Sequence, residues 1–142
     1  MNKKTKIILA GGSGFLGKSL ARHLAAEGYE VVVLSRKFST QTEPYRYAFW
    51  DGATKGPWCA ELESALAVIN LSGRSVDCRY SARNRREILE SRLLSTRILG
   101  LAIKDAKVPP KLFINAASST IYADTRGAYP ANDEEKGVIG DG

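Results

Sequence analysis

The chain has very little histidine or cysteine: among 142 residues there are one histidine, His23, and two cysteines, Cys59 and Cys78. The cysteines have neither C-x-x-C spacing nor a histidine-rich neighbourhood, which are the usual marks of a zinc site. We therefore predict no metal site and two free thiols in a reducing cytosol. His23 falls in a predicted helix, away from the edge of the sheet where ligands bind, and we assign it a structural role.

Long hydrophobic runs are also missing. The N-terminal residues M-N-K-K-T-K lead only into the short apolar run Ile7 to Ala10, which is too short for a secretory signal or a membrane span. We expect a cytoplasmic protein with no membrane contact. Internal repeats and low-complexity tracts are absent as well, and the length is that of one typical domain.

The most informative stretch is Lys6 to Gly17, K-I-I-L-A-G-G-S-G-F-L-G. An apolar strand pattern runs directly into glycines 11, 14 and 17, and a helical pattern follows. Gly11 allows a sharp turn, Gly14 allows backbone N–H groups to approach an anion, and Gly17 allows the helix to pack on its strand. Strand, glycine turn and helix N-terminus together predict a site for a dinucleotide pyrophosphate.

Strand and helix patterns alternate along the chain. This alternation predicts a doubly wound parallel α/β sheet with right-handed crossovers, Rossmann-like and incomplete at its C-terminal side. From Ala123 onward apolar residues become rare. We predict strands at residues 7–10, 30–34, 45–49, 67–71 and 111–117. We predict helices at residues 15–27 and 62–66, and a long helix that begins at about residue 82 or 84 and ends at residue 104.

Several separated motifs carry a family resemblance. G-G-S-G-F-L-G, V-V-V-L-S-R, V-I-N-L-S-G, an R-x-x-x-S-T-R-I-L helix and A-S-S-T-I-Y occur in that order. The middle segment reads Asn70-Leu-Ser-Gly73, Val76-Asp-Cys-Arg-Tyr80 and Ser91-Arg-Leu-Leu-Ser-Thr96. The sequence resembles the extended, epimerase-like branch of the short-chain dehydrogenases/reductases, the NAD(P)-dependent epimerases and dehydratases.

The resemblance implies a longer protein, because members of that branch are about twice this long. We expect residues 1–122 to form the dinucleotide-binding domain and residues 123–142 to be a loop or disordered tail before an absent second half. That half usually carries a Y-x-x-x-K helix, and no such motif occurs in this chain. A natural truncation, a fragment and a diverged remnant all agree with this pattern.

The resemblance assigns six residues of the glycine turn to the pyrophosphate wall: Gly11, Ser13, Gly14, Phe15, Leu16 and Gly17. At the end of the second strand an NAD site usually has an acidic residue that accepts a bond from the ribose 2′-OH. This chain has Ser35, Arg36 and Lys37 there. Two cations suit a 2′-phosphate, so we predict NADP, with NAD as the alternative.

Asn70, Leu71, Ser72 and Gly73 follow a buried strand at the carboxyl edge of the sheet. We predict that this turn approaches the ribose parts of the cofactor. By resemblance, Ser118 is the catalytic serine that binds the substrate oxygen, with Ser119 as the alternative register. Tyr122 corresponds to the tyrosine that follows the serine segment and is not the Y-x-x-x-K tyrosine.

Arg92 and Thr96 share one face of the long helix, which by resemblance borders the active-site floor. The wide apolar stripe of the helix at residues 84–104 suggests a homodimer. The formal net charge is +6, and the cations are spread out apart from a group at Arg79, Arg83, Arg85 and Arg86. We interpret this charge as solvated surface with some attraction for the cofactor, and predict no nucleic-acid partner.

Two functional hypotheses follow. The first is an NADP-dependent oxidoreductase or epimerase-type enzyme acting on an unknown small molecule, for which this chain supplies the cofactor half. The second is a non-catalytic dinucleotide-binding module with a redox-sensing or interaction role. A basic nucleic-acid-binding domain is a third idea, and it would show strongly salt-dependent retention of DNA or RNA.

Overall fold

The chain forms a five-stranded parallel sheet in a computed structural model that describes residues 5–37, 42–118, 121–124 and 132–140. The strands are β1 (Lys6–Ala10), β2 (Glu30–Ser35), β3 (Arg46–Phe49), β4 (Ala67–Asn70) and β5 (Leu112–Asn115), and the α-helices are α1 (Phe15–Ala26) and α2 (Ala82–Asp105). Their order across the sheet is β3-β2-β1-β4-β5, with every neighbouring pair parallel. The predicted Rossmann-like α/β fold is confirmed.

The two faces of the central strands are both buried, because successive strand residues point to opposite sides. Ile7 and Leu9 of β1 pack on the side that carries Ala21 of α1. Ile8 and Ala10 pack on the side that carries Leu99 of α2. This double burial explains why β1 and β2 read as continuous apolar runs rather than as alternating ones.

The short helix predicted at residues 62–66 was wrong. The structure instead has a 3₁₀ helix at Pro57–Leu62, with Trp58 and Leu62 buried against the α2 side of the sheet. Proline fits the first turn of a helix because its missing N–H would have no partner there. Ser64 has φ 58°, in the left-handed region, so the chain has already left the helical conformation before β4.

Apolar side chains remain exposed on β5 and on the outer face of α2. Leu112, Phe113 and Ile114 of β5 are 51%, 37% and 45% exposed. One side of α2 is buried against the sheet, whereas Leu89 and Leu93 are more than half exposed. The wide apolar stripe of α2 is therefore only partly covered within the described residues.

After β5 the described chain makes one further pairing. Tyr122 forms an antiparallel bridge with Ile139, and the N–H of Ala123 donates to the carbonyl of Val138 at 2.7 Å. Residues 132–140 thus fold back beside the segment that follows β5. The domain boundary at residue 122 stays a prediction. In the described ranges, none of the helices has the length and apolarity to cross a bilayer.

Candidate cofactor-binding site

A cavity of about 1080 Å³ lies at the carboxyl edge of the sheet. The strand order places β2 on one side of β1 and β4 on the other, so the connections after β1 and β4 diverge at this point. Open α/β sheets bind ligands at such switch points. Four groups of residues line the cavity: Gly11, Ser13 and Gly14 after β1; Leu34 to Lys37 at the end of β2; Trp50 to Ala53 after β3; and Leu71 to Arg74 with Glu87, Ser91, Leu94 and Ser95 of α2.

The glycine turn and the loop after β4 touch each other at the base of the cavity. Gly11 has φ 73°, a conformation that L-residues with side chains rarely adopt. A Cβ atom on Gly11 would also lie 2.8 Å from the Cα atom of Ser72. Gly11 is therefore required both by its backbone conformation and by the closeness of the two loops.

The N-terminus of α1 faces the cavity without a side-chain cap. Gly14 is the N-cap residue, and the first turn of the helix carries no acidic side chain. The first N–H groups of a helix lack partners within it and carry partial positive charge. An uncapped helix start at Gly14, which lines the cavity, suits an anionic ligand such as a pyrophosphate.

The remaining residues predicted for the pyrophosphate wall lie elsewhere. Phe15 and Leu16 are 92% and 62% exposed and are not among the described residues that line the cavity. Gly17 is buried, and a Cβ atom on it would lie 2.4 Å from the Cα atom of Gly12. Gly17 therefore allows α1 to pack against the glycine turn at Gly12.

At the end of β2, Ser35 is buried and Arg36 and Lys37 are exposed. The Ser35 hydroxyl oxygen accepts a hydrogen bond of 3.1 Å from the N–H of Lys37, which turns the chain at the cavity wall. Two cations therefore line one side of the cavity. This placement is compatible with the predicted 2′-phosphate contact, which stays a prediction.

The cavity residues after β3, Trp50 to Ala53, are not among those predicted from the sequence. The N–H of Trp50 donates to the carbonyl of Ser35 at 3.1 Å, and this bond brings Asp51 beside the end of β2. Hydrogen bonds from the Thr54 hydroxyl and from the N–H groups of Ala53 and Thr54 hold the pKa of Asp51 below its usual value. Asp51 reaches the cavity because β3 pairs with β2, a contact between segments that the local sequence does not encode.

Asn70 fixes the loop after β4 from below the cavity. Its side-chain oxygen accepts a hydrogen bond of 3.1 Å from the N–H of Ser72, and its amide nitrogen donates to Asn115 Oδ1 at 2.7 Å. Asn70 is buried and does not itself line the cavity, in contrast to Leu71, Ser72 and Gly73. It therefore acts on the site through the backbone of the loop.

Two buried polar atoms beside the cavity have no hydrogen-bond partner in the described part of the chain. They are the Oγ atom of Ser72 and the Nε1 atom of Trp50, and both residues line the cavity. Buried polar groups in folded proteins are nearly always hydrogen-bonded. Neither atom is open to the cavity, so the fit to a dinucleotide rests on the groups that line it, which are the uncapped start of α1 at Gly14 and the cations Arg36 and Lys37.

The predicted catalytic serine lies beyond the end of β5. Ser118 is exposed and is not among the described residues that line the cavity, and its carbonyl accepts from the N–H of Ile121 at 3.1 Å. Ser119 lies outside the described residues. Tyr122 pairs with Ile139 as described above. The catalytic role of Ser118 stays a prediction.

Comparison with known proteins agrees with this arrangement. The chain matches the model of the NAD dependent epimerase/dehydratase family over residues 7–138. An epimerase family protein of Bacillus subtilis is 34% identical over 117 residues, which are 82% of this chain and 38% of the relative. The chain thus spans about two fifths of the length of the curated relatives it matches.

Two solved structures are similar to the fold. The crystal structure of a human epimerase family protein with NADPH is 31% identical, with a TM-score of 0.68, and the match covers 84% of this chain and 38% of that one. MoeE5 in complex with UDP-glucuronic acid and NAD is 25% identical, with a TM-score of 0.68, over 84% of this chain and 39% of that one. With its glycine turn, sheet order and family match in agreement, the chain belongs to the NAD dependent epimerase/dehydratase family.

Proposed function

We propose that the cavity binds NADP and that the chain is the cofactor-binding part of an epimerase-type oxidoreductase. One observation supports this proposal: the uncapped start of α1 and the two cations Arg36 and Lys37 line the same cavity. In a dinucleotide with a 2′-phosphate, the pyrophosphate suits the helix start and the 2′-phosphate suits the two cations. The human relative, whose crystal structure is with NADPH, supports NADP, and MoeE5, in complex with NAD, supports the alternative.

Different residues of this chain would bind different parts of the cofactor and the substrate. The N–H groups at the start of α1 bind the pyrophosphate, and the loop of Leu71, Ser72 and Gly73 approaches the ribose part. The nicotinamide supplies the hydride acceptor or donor when the cofactor is bound. By resemblance, Ser118 orients the reacting oxygen of the substrate through its hydroxyl group.

The second candidate is a non-catalytic dinucleotide-binding module. The position of Ser118 favours it, because this exposed residue is not among the described residues that line the cavity. Oxidation of NADPH in the presence of carbonyl compounds or nucleotide sugars separates the two candidates. Turnover that is lost in a Ser118→Ala variant supports the enzyme and rules out the module.

Calorimetric titration with NADPH and NADH tests the cofactor. We expect tighter binding of NADPH. Arg36→Ala should weaken the binding of NADPH by about tenfold, since a charge-assisted hydrogen bond to phosphate is lost. It should leave the binding of NADH unchanged. Arg97→Ala, which removes an exposed arginine of α2, is the matched control. Tighter binding of NADH would refute the proposed role of Arg36 and Lys37.

We also propose a cytoplasmic location and a homodimer through residues 84–104. The exposed Leu89 and Leu93 support the dimer, because solvent-facing leucines one helical turn apart suit a helix–helix contact. Sedimentation equilibrium of the wild type and of a Leu89→Ser/Leu93→Ser variant measures whether the chain dimerises. A monomeric wild type would contradict the dimer without affecting the cofactor proposal.

A further inference from the structure

Two consecutive residues of α2 hold the loop after β4 in place. We propose that Ser91 and Arg92 are positioning residues that fix this loop, and with it the width of the cofactor cleft. The inference rests on the proposed function, because the cleft is the one assigned to NADP. It gives the S-R-x-x-x-T segment of α2 a physical role that the sequence alone did not provide.

The two side chains hold both backbone polar groups of Arg74. Ser91 Oγ accepts a hydrogen bond of 2.9 Å from the N–H of Arg74 and donates its own hydrogen to the carbonyl of Ile88 at 2.9 Å. Because the hydroxyl hydrogen is used within the helix, a lone pair of the oxygen is directed at the loop. Arg92 Nη1 donates to the carbonyl of Arg74 at 3.2 Å and to that of Ile88 at 3.0 Å.

The Arg92 side chain also packs against the loop at Gly73. A Cβ atom on Gly73 would lie 3.1 Å from Arg92 Cζ and 3.3 Å from Nη2, closer than most real contacts of this kind. A glycine at this position therefore makes room for the guanidinium group. The loop cannot approach α2 more closely, and the hydrogen bonds to Arg74 prevent it from moving away.

The loop transmits this position to the cavity. Leu71, Ser72, Gly73 and Arg74 all line the cavity, and Ser72 lies against Gly11 of the glycine turn at its base. Ser91 lines the cavity, but its hydroxyl is already engaged with the N–H of Arg74 and the carbonyl of Ile88, and Arg92 is not among the described residues that line the cavity. The effect of both residues on a ligand then passes through the backbone of the loop at Arg74, which is the behaviour of positioning residues.

Further contacts of α2 secure the loop at both of its ends. Near its start, Asn70 Nδ2 donates to Thr96 Oγ1 at 3.3 Å. Near its end, the Arg74 side chain forms an ion pair with Glu87 and donates to Asn84 Oδ1 at 3.0 Å. Ser91 and Arg92 lie between these anchors on the helix and hold the backbone of the loop at Arg74, with Arg92 also packed at Gly73.

Calorimetry with NADPH tests the proposal on four proteins: wild type, Ser91→Ala, Arg92→Ala and the control Arg97→Ala. We expect Ser91→Ala and Arg92→Ala each to weaken NADPH binding by about tenfold, with stoichiometry unchanged, since a backbone group of Arg74 loses its partner. Arg92→Lys keeps a donor and should recover most of the affinity. Arg97→Ala should bind as the wild type does.

A double-mutant cycle separates positioning from a general loss of stability. Gly73→Ala should weaken NADPH binding in the wild type and do so much less in Arg92→Ala, because the space taken by the guanidinium is then empty. Additive effects within about twofold would overturn the proposal, and so would unchanged affinity in both single variants. If Arg92→Ala does not fold, Ser91→Ala and Arg92→Lys decide the result. A wild type that binds no NADP(H) would instead refute the proposed function, and the inference with it.

Discussion

The side chains of Asn70 and Asn115 are joined by a 2.7 Å hydrogen bond across β4 and β5, where the two residues are register partners. Asn115 Oδ1 also accepts from Thr96 Oγ1 at 3.1 Å, so the pair ties two strands to α2. Asn70→Ala should lower the free energy of unfolding by about 1–3 kcal/mol. The N–H of Ser72 and Oδ1 of Asn115 would each lose a hydrogen-bond partner at a buried position. Urea denaturation measures this loss.

Because Asn70 donates this hydrogen bond and Asn115 accepts it, the variants Asn70→Asp and Asn115→Asp should differ in stability. In Asn115→Asp the acceptor oxygens facing Asn70 and Thr96 are kept. In Asn70→Asp the donor is replaced by a carboxylate that faces Asn115 Oδ1, and burial adds a desolvation cost. We expect Asn70→Asp to be the less stable of the two; equal stability would show that the amide of Asn70 is not the donor.

Gly17→Ala should destabilise the chain and weaken cofactor binding together. Its Cβ atom would lie 2.4 Å from backbone Cα of Gly12, which cannot give way as a flexible side chain does. We expect a loss of about 1–3 kcal/mol by thermal or urea unfolding. Gly100→Ala is the control, because a Cβ atom there meets no described atom within 4 Å. That helical substitution should stabilise by about 0.5–1 kcal/mol.

Trp50 and Trp58 are equally buried, at 3% exposure, but differ in one hydrogen bond. Trp58 Nε1 donates to the carbonyl of Thr54 at 3.1 Å, whereas Trp50 Nε1 has no described partner. Trp58→Phe should therefore cost about 0.5–1.5 kcal/mol more than Trp50→Phe in urea denaturation without ligand. A larger cost for Trp50→Phe would show that its indole nitrogen is satisfied in solution.

Acid should weaken the amino end of the sheet through Glu61. Two hydrogen bonds from the Arg46 guanidinium hold the pKa of Glu61 below its usual value. A lowered folded-state pKa stabilises the fold above the unfolded carboxyl pKa of about 4.3 and loses that effect as the pH falls through the folded-state value. Glu61→Gln should be less stable than wild type by about 1 kcal/mol at neutral pH.

Denaturation curves across the acid range check this dependence. The difference between wild type and Glu61→Gln should shrink as the pH falls below about 4. Glu134→Gln, a change at an exposed position, is the control. A difference that is constant with pH would mean that the Glu61 charge contributes no stability.

The sequence predicted the centre of the fold well because the relevant signals are local. The β-branched run of β2 and the glycines around α1 determine backbone conformation over a few residues. The helix at Pro57–Leu62 was misplaced because Leu62 to Leu66 has apolar residues near helical spacing, while the conformation of Ser64 is determined by its surroundings.

The candidate site was predictable only where one segment supplies it. Gly11 and Gly14 are recognisable from their motif, and Arg36 from its place after β2. Asp51 reaches the cavity only because β3 pairs with β2, and Ser91 only because α2 crosses behind the loop after β4. Such contacts join residues distant in sequence, and no periodicity or spacing encodes them.

The exposed apolar side chains of β5 have a consequence for handling the protein. In the described part of the sheet β5 is an outermost strand, with Leu112, Phe113 and Ile114 in sequence. The outer edge of such a strand offers N–H and C=O groups to strands of other molecules, and apolar residues favour that association. We expect concentration-dependent aggregation of the isolated chain, which a charged residue at Ile114 would suppress.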